Sequence, residues 1–206
     1  MTIQQIKVGF DNFSYLISDP GKKKAALVDP GYDISKADMI LRSTSLELQY
    51  VIFTHHHRDH TGDCAQLKHL YPSSIFVASA VEGVKLGVKV DRLVRDDDRF
   101  SLGNITLKVL ATPGHTPDGI CILVDDEALI TGDTLFIGDC GRTDLPGGDP
   151  AQMFQTLQKK ILPLPDHLIV YPGHDYGEKP FDTLGNQKQT NKTLRTKNLK
   201  EFSMIP

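Results

Sequence analysis

Thr54-His55-His56-His57-Arg58-Asp59-His60 decides how this chain is read. His55, His57, Asp59 and His60 spell an H-x-H-x-D-H pattern. Residues 49–54 upstream are apolar and rich in β-formers, and predict a buried strand. Residues 61–70 downstream have helical spacing. The four polar groups therefore fall in a strand-to-helix loop, where imidazoles and a carboxylate can converge. Those are the ligands that zinc and other borderline divalent metals prefer. A lone histidine is ordinarily a structural residue. Eight histidines, with half of them between His55 and His60, are hard to explain by packing.

Moving outward, the same arrangement recurs. Pro113-Gly114-His115, Gly132-Asp133 and Pro172-Gly173-His174 each follow an apolar, strand-like run, at 105–111, 128–131 and 168–171. Strand ends that repeatedly deliver His or Asp suggest a site assembled at one edge of a sheet. The first part of the chain reads as strands 13–18 and 25–29, split by Asp19-Pro20-Gly21-Lys22. Ser35 and Asp38 resemble a capping box that opens a helix through Leu41. Strand 49–54, helix 61–70 and strand 75–78 then alternate as an α/β protein does. The second part repeats the theme. Strand 105–111 is followed by strands 120–124 and 128–131 around the turn Asp125-Asp126-Glu127. Asp149-Pro150 sets an N-cap and an N1 proline for a helix with Met153, Phe154, Leu157 and Ile161 on one face. Two similar halves of strands and helices fit two stacked sheets with helices on both outer faces. After Asn191 the chain turns polar and basic, and reads as a short tail.

Composition narrows the function classes. The chain has 206 residues, 39% of them hydrophobic, which suits one sizeable domain or two small ones. No apolar run approaches the roughly 20 residues of a membrane span. Met1-Thr2-Ile3-Gln4-Gln5 lacks the features of a secretory signal. A net charge of -3 gives no electrostatic case for nucleic acid. Cys64, Cys121 and Cys140 form no C-x-x-C pair, and their odd number argues against a disulfide framework. The expected setting is soluble, reducing and cytoplasmic, with no nucleic-acid or membrane partner. The sequence does not address oligomeric state.

The series His55-x-His57-x-Asp59-His60, His115, Asp133 and His174 resembles the metallo-β-lactamase superfamily, with all seven ligand positions filled in order. The resemblance runs from about residue 12 to 191. It implies an α/β fold, the αββα four-layer sandwich, with the site at one edge between the sheets. Residues 1–191 are then a single domain and 192–206 a short C-terminal tail. By the same resemblance, His55, His57 and His115 hold one metal, Asp59, His60 and His174 the other, and Asp133 bridges. Seven donors exceed the three or four that one tetrahedral ion needs. Two divalent ions, zinc first among them, lower the pKa of water from about 15.7 to roughly 7 and polarise a substrate carbonyl. Asp59 is the expected catalytic residue, orienting the nucleophile or shuttling its proton besides ligating. His56, His69 and His167 lie outside the ligand pattern. Thr54 and Thr116 flank ligands and suit hydrogen bonding to them.

Within that superfamily, true β-lactamases usually lack the complete motif, diiron flavoproteins place Glu where His57 stands, and nucleases usually carry large insertions. Two branches remain. Gly132-Asp133-Thr134-Leu135-Phe136, Cys140-Gly141-Arg142 and Gly173-His174-Asp175-Tyr176 are similar to glyoxalase II, a hydrolase of glutathione thioesters. Arg142-Thr143-Asp144 and His174-Asp175-Tyr176 resemble persulfide dioxygenases equally well. In that branch a single Fe2+ sits on His57, His115 and Asp133, a facial triad. Both branches imply substrate contacts at Arg142 and Tyr176 and a small-molecule, thiol-linked substrate. Arg58, before Asp59-His60, replaces the small residue usual in dioxygenases and favours hydrolysis. Glyoxalase II carries a helical C-terminal domain with basic residues for glutathione. Short of such a domain, Lys192, Arg195 and Lys197 stand in a short tail here, which makes another low-molecular-weight thiol an alternative to glutathione.

Overall fold

The computed structural model describes residues 1–62, 64–81 and 86–205. The first sheet has the order β1 (Thr2–Val8), β2 (Asn12–Asp19), β3 (Lys24–Val28), β4 (Glu47–Ile52), β5 (Ile75–Ser79) and β6 (Arg92–Val94). Its first three strands run antiparallel and the rest pair in parallel from β3 onward. The second sheet runs β12 (Asp182–Thr183), β11 (Ile169–Pro172), β10 (Ala128–Gly132), β9 (Ile120–Val124), β8 (Ile105–Ala111) and β7 (Arg99–Leu102). Only β10 and β11 pair in parallel in that sheet.

Alternation along the strands builds the layers. Tyr15, Ile17, Ala26, Val28 and Ile52 of the first sheet meet Leu107, Val109, Ile122 and Ile130 of the second in one buried cluster. The alternate residues Leu16, Leu27, Val51 and Phe76 pack on α1 (Ser35–Thr44) and α3 (Cys64–Leu70) through Ala37, Leu41 and Leu67. On the outer face of the second sheet, Leu110, Leu123, Leu129 and Val170 meet Met153 of α4 (Pro150–Thr156) and Leu184 of α5 (Leu184–Thr190). The result is the four-layer αββα sandwich. Strands buried on both faces, such as β9 and β10, read as continuous apolar runs, which is why the sequence marks them clearly.

Several elements depart from the sequence expectation. Asp149 caps α4 through Ala151 N and Gln152 N, as its position suggests, and α4 continues into a π-helical turn at Leu157–Ile161. At α1, however, Ser35 makes no cap with its side chain. The N-cap is Ile34, and Asp33 Oδ1 accepts from Ser35 N at 2.9 Å. The expected helix 61–70 is two pieces, α2 (Arg58–Thr61) and α3; residue 63 lies outside the described residues. β1 gave no signal because it is an edge strand: Thr2, Gln4 and Lys7 are exposed. The polar segment after Asn191 folds back on the second sheet. Leu194 and Phe202 of α6 (Leu199–Phe202) join its outer core. Two isolated apolar anchors leave no periodicity to detect. No described helix is long and apolar enough to cross a membrane.

Candidate metal centre

Four loops meet where the two sheets open. The loop after β4 carries His55 to His57 and leads into α2, which carries Asp59 and His60. The loop after β8 carries His115. Asp133 follows β10 and His174 follows β11. Backbone hydrogen bonds lock these loops across the sandwich: Ile120 N donates to Thr54 O at 2.9 Å, and Phe13 N to Gly173 O at 2.8 Å. Glycine is required beside Asp133. A Cβ on Gly173 would collide with Asp133 Oδ1, and Gly132, at φ +48°, has no room for a side chain against Thr54.

Among the described residues three overlapping groups could hold a metal ion: the two expected triads, His55, His57 and His115, and Asp59, His60 and His174, and a third made of Asp29, His55 and His60. In the first, His55 Nε2 lies 3.2 Å from His57 Nδ1, and His115 Nε2 lies 2.9 Å from the same atom. In the second, His60 Nε2 and His174 Nε2 are 3.3 Å apart, and Asp59 Oδ2 is 3.5 and 3.4 Å from them. Asp133 stands between. Its Oδ2 is 3.4 Å from His115 Nε2 and 3.3 Å from His174 Nε2, while Oδ1 is 3.3 Å from His60 Nε2. All seven expected ligand residues are thus brought together.

Three features fit this donor set to divalent ions. Imidazole nitrogens converge edge to edge. Tetrahedral ligands on bonds of about 2.0–2.1 Å sit roughly 3.3–3.4 Å apart, close to the separations here. Asp133 Oδ1 is buried without a hydrogen-bond partner, an expensive state for a carboxylate that lacks a cation.

The surroundings hold each ring in place. Asp29 Oδ2 faces His60 Nδ1 at 3.1 Å and accepts from Thr54 Oγ1 at 2.6 Å, and Thr54 Oγ1 is 3.0 Å from His55 Nδ1. His115 Nδ1 faces Arg142 O at 2.7 Å. Asn12 Nδ2 donates to Asp59 Oδ2 at 2.9 Å. Such contacts fix tautomer and orientation of ligating imidazoles. Neither Asp29 nor Asn12 was picked out from the sequence. Asp29-Pro30-Gly31 has the same strand-then-turn form as the other donor sites, and Asp29 sits at φ 49°, a conformation uncommon outside glycine. That pattern could have flagged it. Asn12 offered no signal.

His56 turns out of the cluster and pairs with Asp118 at 2.7 Å. His167 contacts Asp126 O, away from the site. Thr54 bonds within the ligand shell, whereas Thr116 Oγ1 is buried without a partner.

Burial lowers the affinity of His55 and His57 for protons, and neighbouring imidazoles add to this. Burial also opposes charge on His60 and His174. There the carboxylates prevail, Asp133 foremost, with Asp29 and Asp59, raising His60 to about 9 and His174 to about 10.

A cavity of about 480 Å³ opens onto the triads. Tyr176 stacks on His174 at 4.7 Å and 8°, and Phe136 meets both rings edge-on. Burial first, then Asp11, pushes the Tyr176 phenol up to about 12, so it stays a donor. Burial likewise pushes the Cys140 thiol up to about 12. Arg142 lines the cavity, but its guanidinium is held two-pronged by Asp144, with both bonds at 2.7 Å.

The model of the metallo-beta-lactamase superfamily matches residues 8–174, which include all seven donors. This chain belongs to that superfamily. Among superfamily members, the hydroxyacylglutathione hydrolase of Brucella anthropi is 40% identical over 179 residues, 86% of this chain and 66% of that protein. The mitochondrial persulfide dioxygenase ETHE1 of Homo sapiens is 32% identical over 195 residues, 94% of this chain and 75% of that protein. The crystal structure of ETHE1 from Myxococcus xanthus superposes with a TM-score of 0.84 at 31% identity, covering 100% of this chain and 92% of that one. These relatives thus divide between a hydrolase and a dioxygenase.

Proposed function

We propose that the protein is a metal-dependent hydrolase of the glyoxalase II type, cleaving the S-acyl thioester of a small thiol. The observation that carries this reading is the pair of triads sharing Asp133, a donor set sized for two divalent ions, zinc first among them. His55, His57 and His115 would hold one ion, Asp59, His60 and His174 the other, with Asp133 common to both. When bound, such ions supply Lewis acidity and a nucleophile at neutral pH.

The protein's own groups do the rest. Asp59 is catalytic in this reading. Burial works against its charge, but His174, His60 and Asn12 outweigh burial and keep it ionised. An ionised carboxylate at the cavity wall accepts the proton of the attacking water and relays it to the departing sulfur. The acyl–sulfur bond breaks, giving a carboxylic acid and a free thiol. Tyr176 offers a phenol O–H to the thiol carrier beside His174, and Arg142 stands at the rim. Phe136 and Tyr176 give the carrier apolar contact.

Thiol release from S-lactoylglutathione or a simpler acyl thioester by zinc-loaded protein, under anaerobic conditions, tests the reading. Finding no release from any thioester would overturn it. A second reading has a specific support: the high overlap with ETHE1 and the cluster of His57, His115 and Asp133 suit one Fe2+ in a persulfide dioxygenase. Oxygen uptake with a thiol persulfide by iron-loaded protein would favour it.

A further inference from the structure

A second cavity, of about 490 Å³, adjoins the first and shares Asp139, Cys140 and Arg142 with it. Both volumes lie in the range of small-molecule sites. The second has an apolar side, from Pro150, Phe202 and Ile205, and hydroxyls from Thr143, Thr193 and Ser203. Its charges are already matched. Asp139 pairs with Lys192 at 2.7 Å and Arg142 with Asp144 at 2.7 Å. Arg58, which has no ion-pair partner among the described residues, lines the first cavity and not the second.

Resting on the thioester reading above, we infer that the second cavity receives the distal arm of the thiol carrier, and that this arm is neutral and amide-bearing, as in pantetheine. A substrate that places its thioester at the triads can extend past the shared Cys140–Arg142 strip into the second cavity. A carboxylate arriving there, as in glutathione, finds the charge of Arg142 already neutralised by the two-pronged pair with Asp144 and must compete with that carboxylate. Neutral amides face no such cost. They can exchange hydrogen bonds with Thr143 and Ser203 while methyl and methylene groups cover Phe202 and Ile205. The C-terminal segment thereby becomes part of substrate selection.

Acetyl thioesters of pantetheine, N-acetylcysteamine and glutathione separate these alternatives on the full, zinc-loaded chain. The expected result is a kcat/KM for the pantetheine ester at least tenfold above both others, carried by KM. Ser203 is exposed, so Ser203→Trp can fill the cavity without disturbing the core. It is expected to lower kcat/KM at least tenfold more for the pantetheine ester than for the truncated N-acetylcysteamine ester. Equal or better use of the glutathione ester, or a Ser203→Trp effect that is the same on both neutral esters, overturns the inference. Unreactive S-methylpantetheine reads the cavity without turnover. Calorimetry should show binding that Ser203→Trp weakens tenfold, and absence of binding overturns the inference whichever thioester is cleaved. Failure to cleave any thioester while S-methylpantetheine still binds overturns the hydrolase reading alone.

Discussion

His55, His57 and His115 meet with no carboxylate in their triad, whereas Asp59, His60 and His174 meet around one. Histidine supplies most donors in both, yet the surroundings drive them apart. In the first triad, burial and mutual repulsion keep His55 and His57 neutral. In the second, Asp133, Asp29 and Asp59 hold protons on His60 and His174 to about pH 9 and 10. The first triad is thus poised to take a cation directly. The second must shed protons first, because ligating imidazole is neutral. Residue type sets which atoms can ligate; the neighbouring charges set the cost of using them.

Asp133→Asn should break the comparison most completely. It keeps the shape and removes the carboxylate that stands between the two triads. Metal content should fall at both sites, with thioesterase kcat/KM lower by on the order of 10²–10³-fold. Full retention of two metals would show that the triads are independent.

pH offers the next largest effect. The protonated forms of His60 and His174 compete with metal below their folded pKa values. Affinity at the second triad should therefore rise with pH, by about tenfold per unit for each proton released, and level off near pH 9–10. Affinity at the first triad should change little above neutral pH. A zinc titration resolving two binding events at pH 6.5 and 8.5 checks this; two equally pH-sensitive events would contradict it.

Asp29→Asn sharpens the comparison further. It weakens the partner of His60 and reaches His55 only through Thr54. Loss of such a contact costs roughly 10–100-fold in metal affinity. The loss should fall mainly on the second event of the same titration.

Asp38→Asn sets the floor, far from both triads. Arg42 first, and then Tyr71, hold this carboxyl below the usual carboxylate range. Its contribution is present above the unfolded pKa and is lost as pH falls through the folded one. The pair is solvent-exposed, so thermal or denaturant unfolding at pH 7 should register about 0.3–0.5 kcal/mol, with metal binding unchanged.

Much of the site was legible because its grammar is local. Apolar runs ending in His or Asp beside Gly or Pro mark the ends of β8, β10 and β11, the histidine run itself marks the end of β4, and buried strands such as β9 and β10 stand out as unbroken apolar stretches. What escaped was contextual. Asn12 acts on Asp59 across 47 positions of sequence. Arg142 reads as a free cation and is neutralised by Asp144, two residues away. β1 has a solvent face and so lacks an apolar signature, and Leu194 and Phe202 anchor a segment too polar to announce itself.

The sequence by itself determined the α/β class, through short-range periodicity, and membership in a metal-binding family, through a motif order that a chain carries without folding; the seven expected donors came with that resemblance. Only the tertiary structure decided that His57 presents Nδ1 where His55 and His115 present Nε2, that Asp133 faces both triads, and that two cavities meet at Arg142. Those facts depend on how two sheets stack and where four loops from distant parts of the chain converge, and no local pattern encodes a distance across a core.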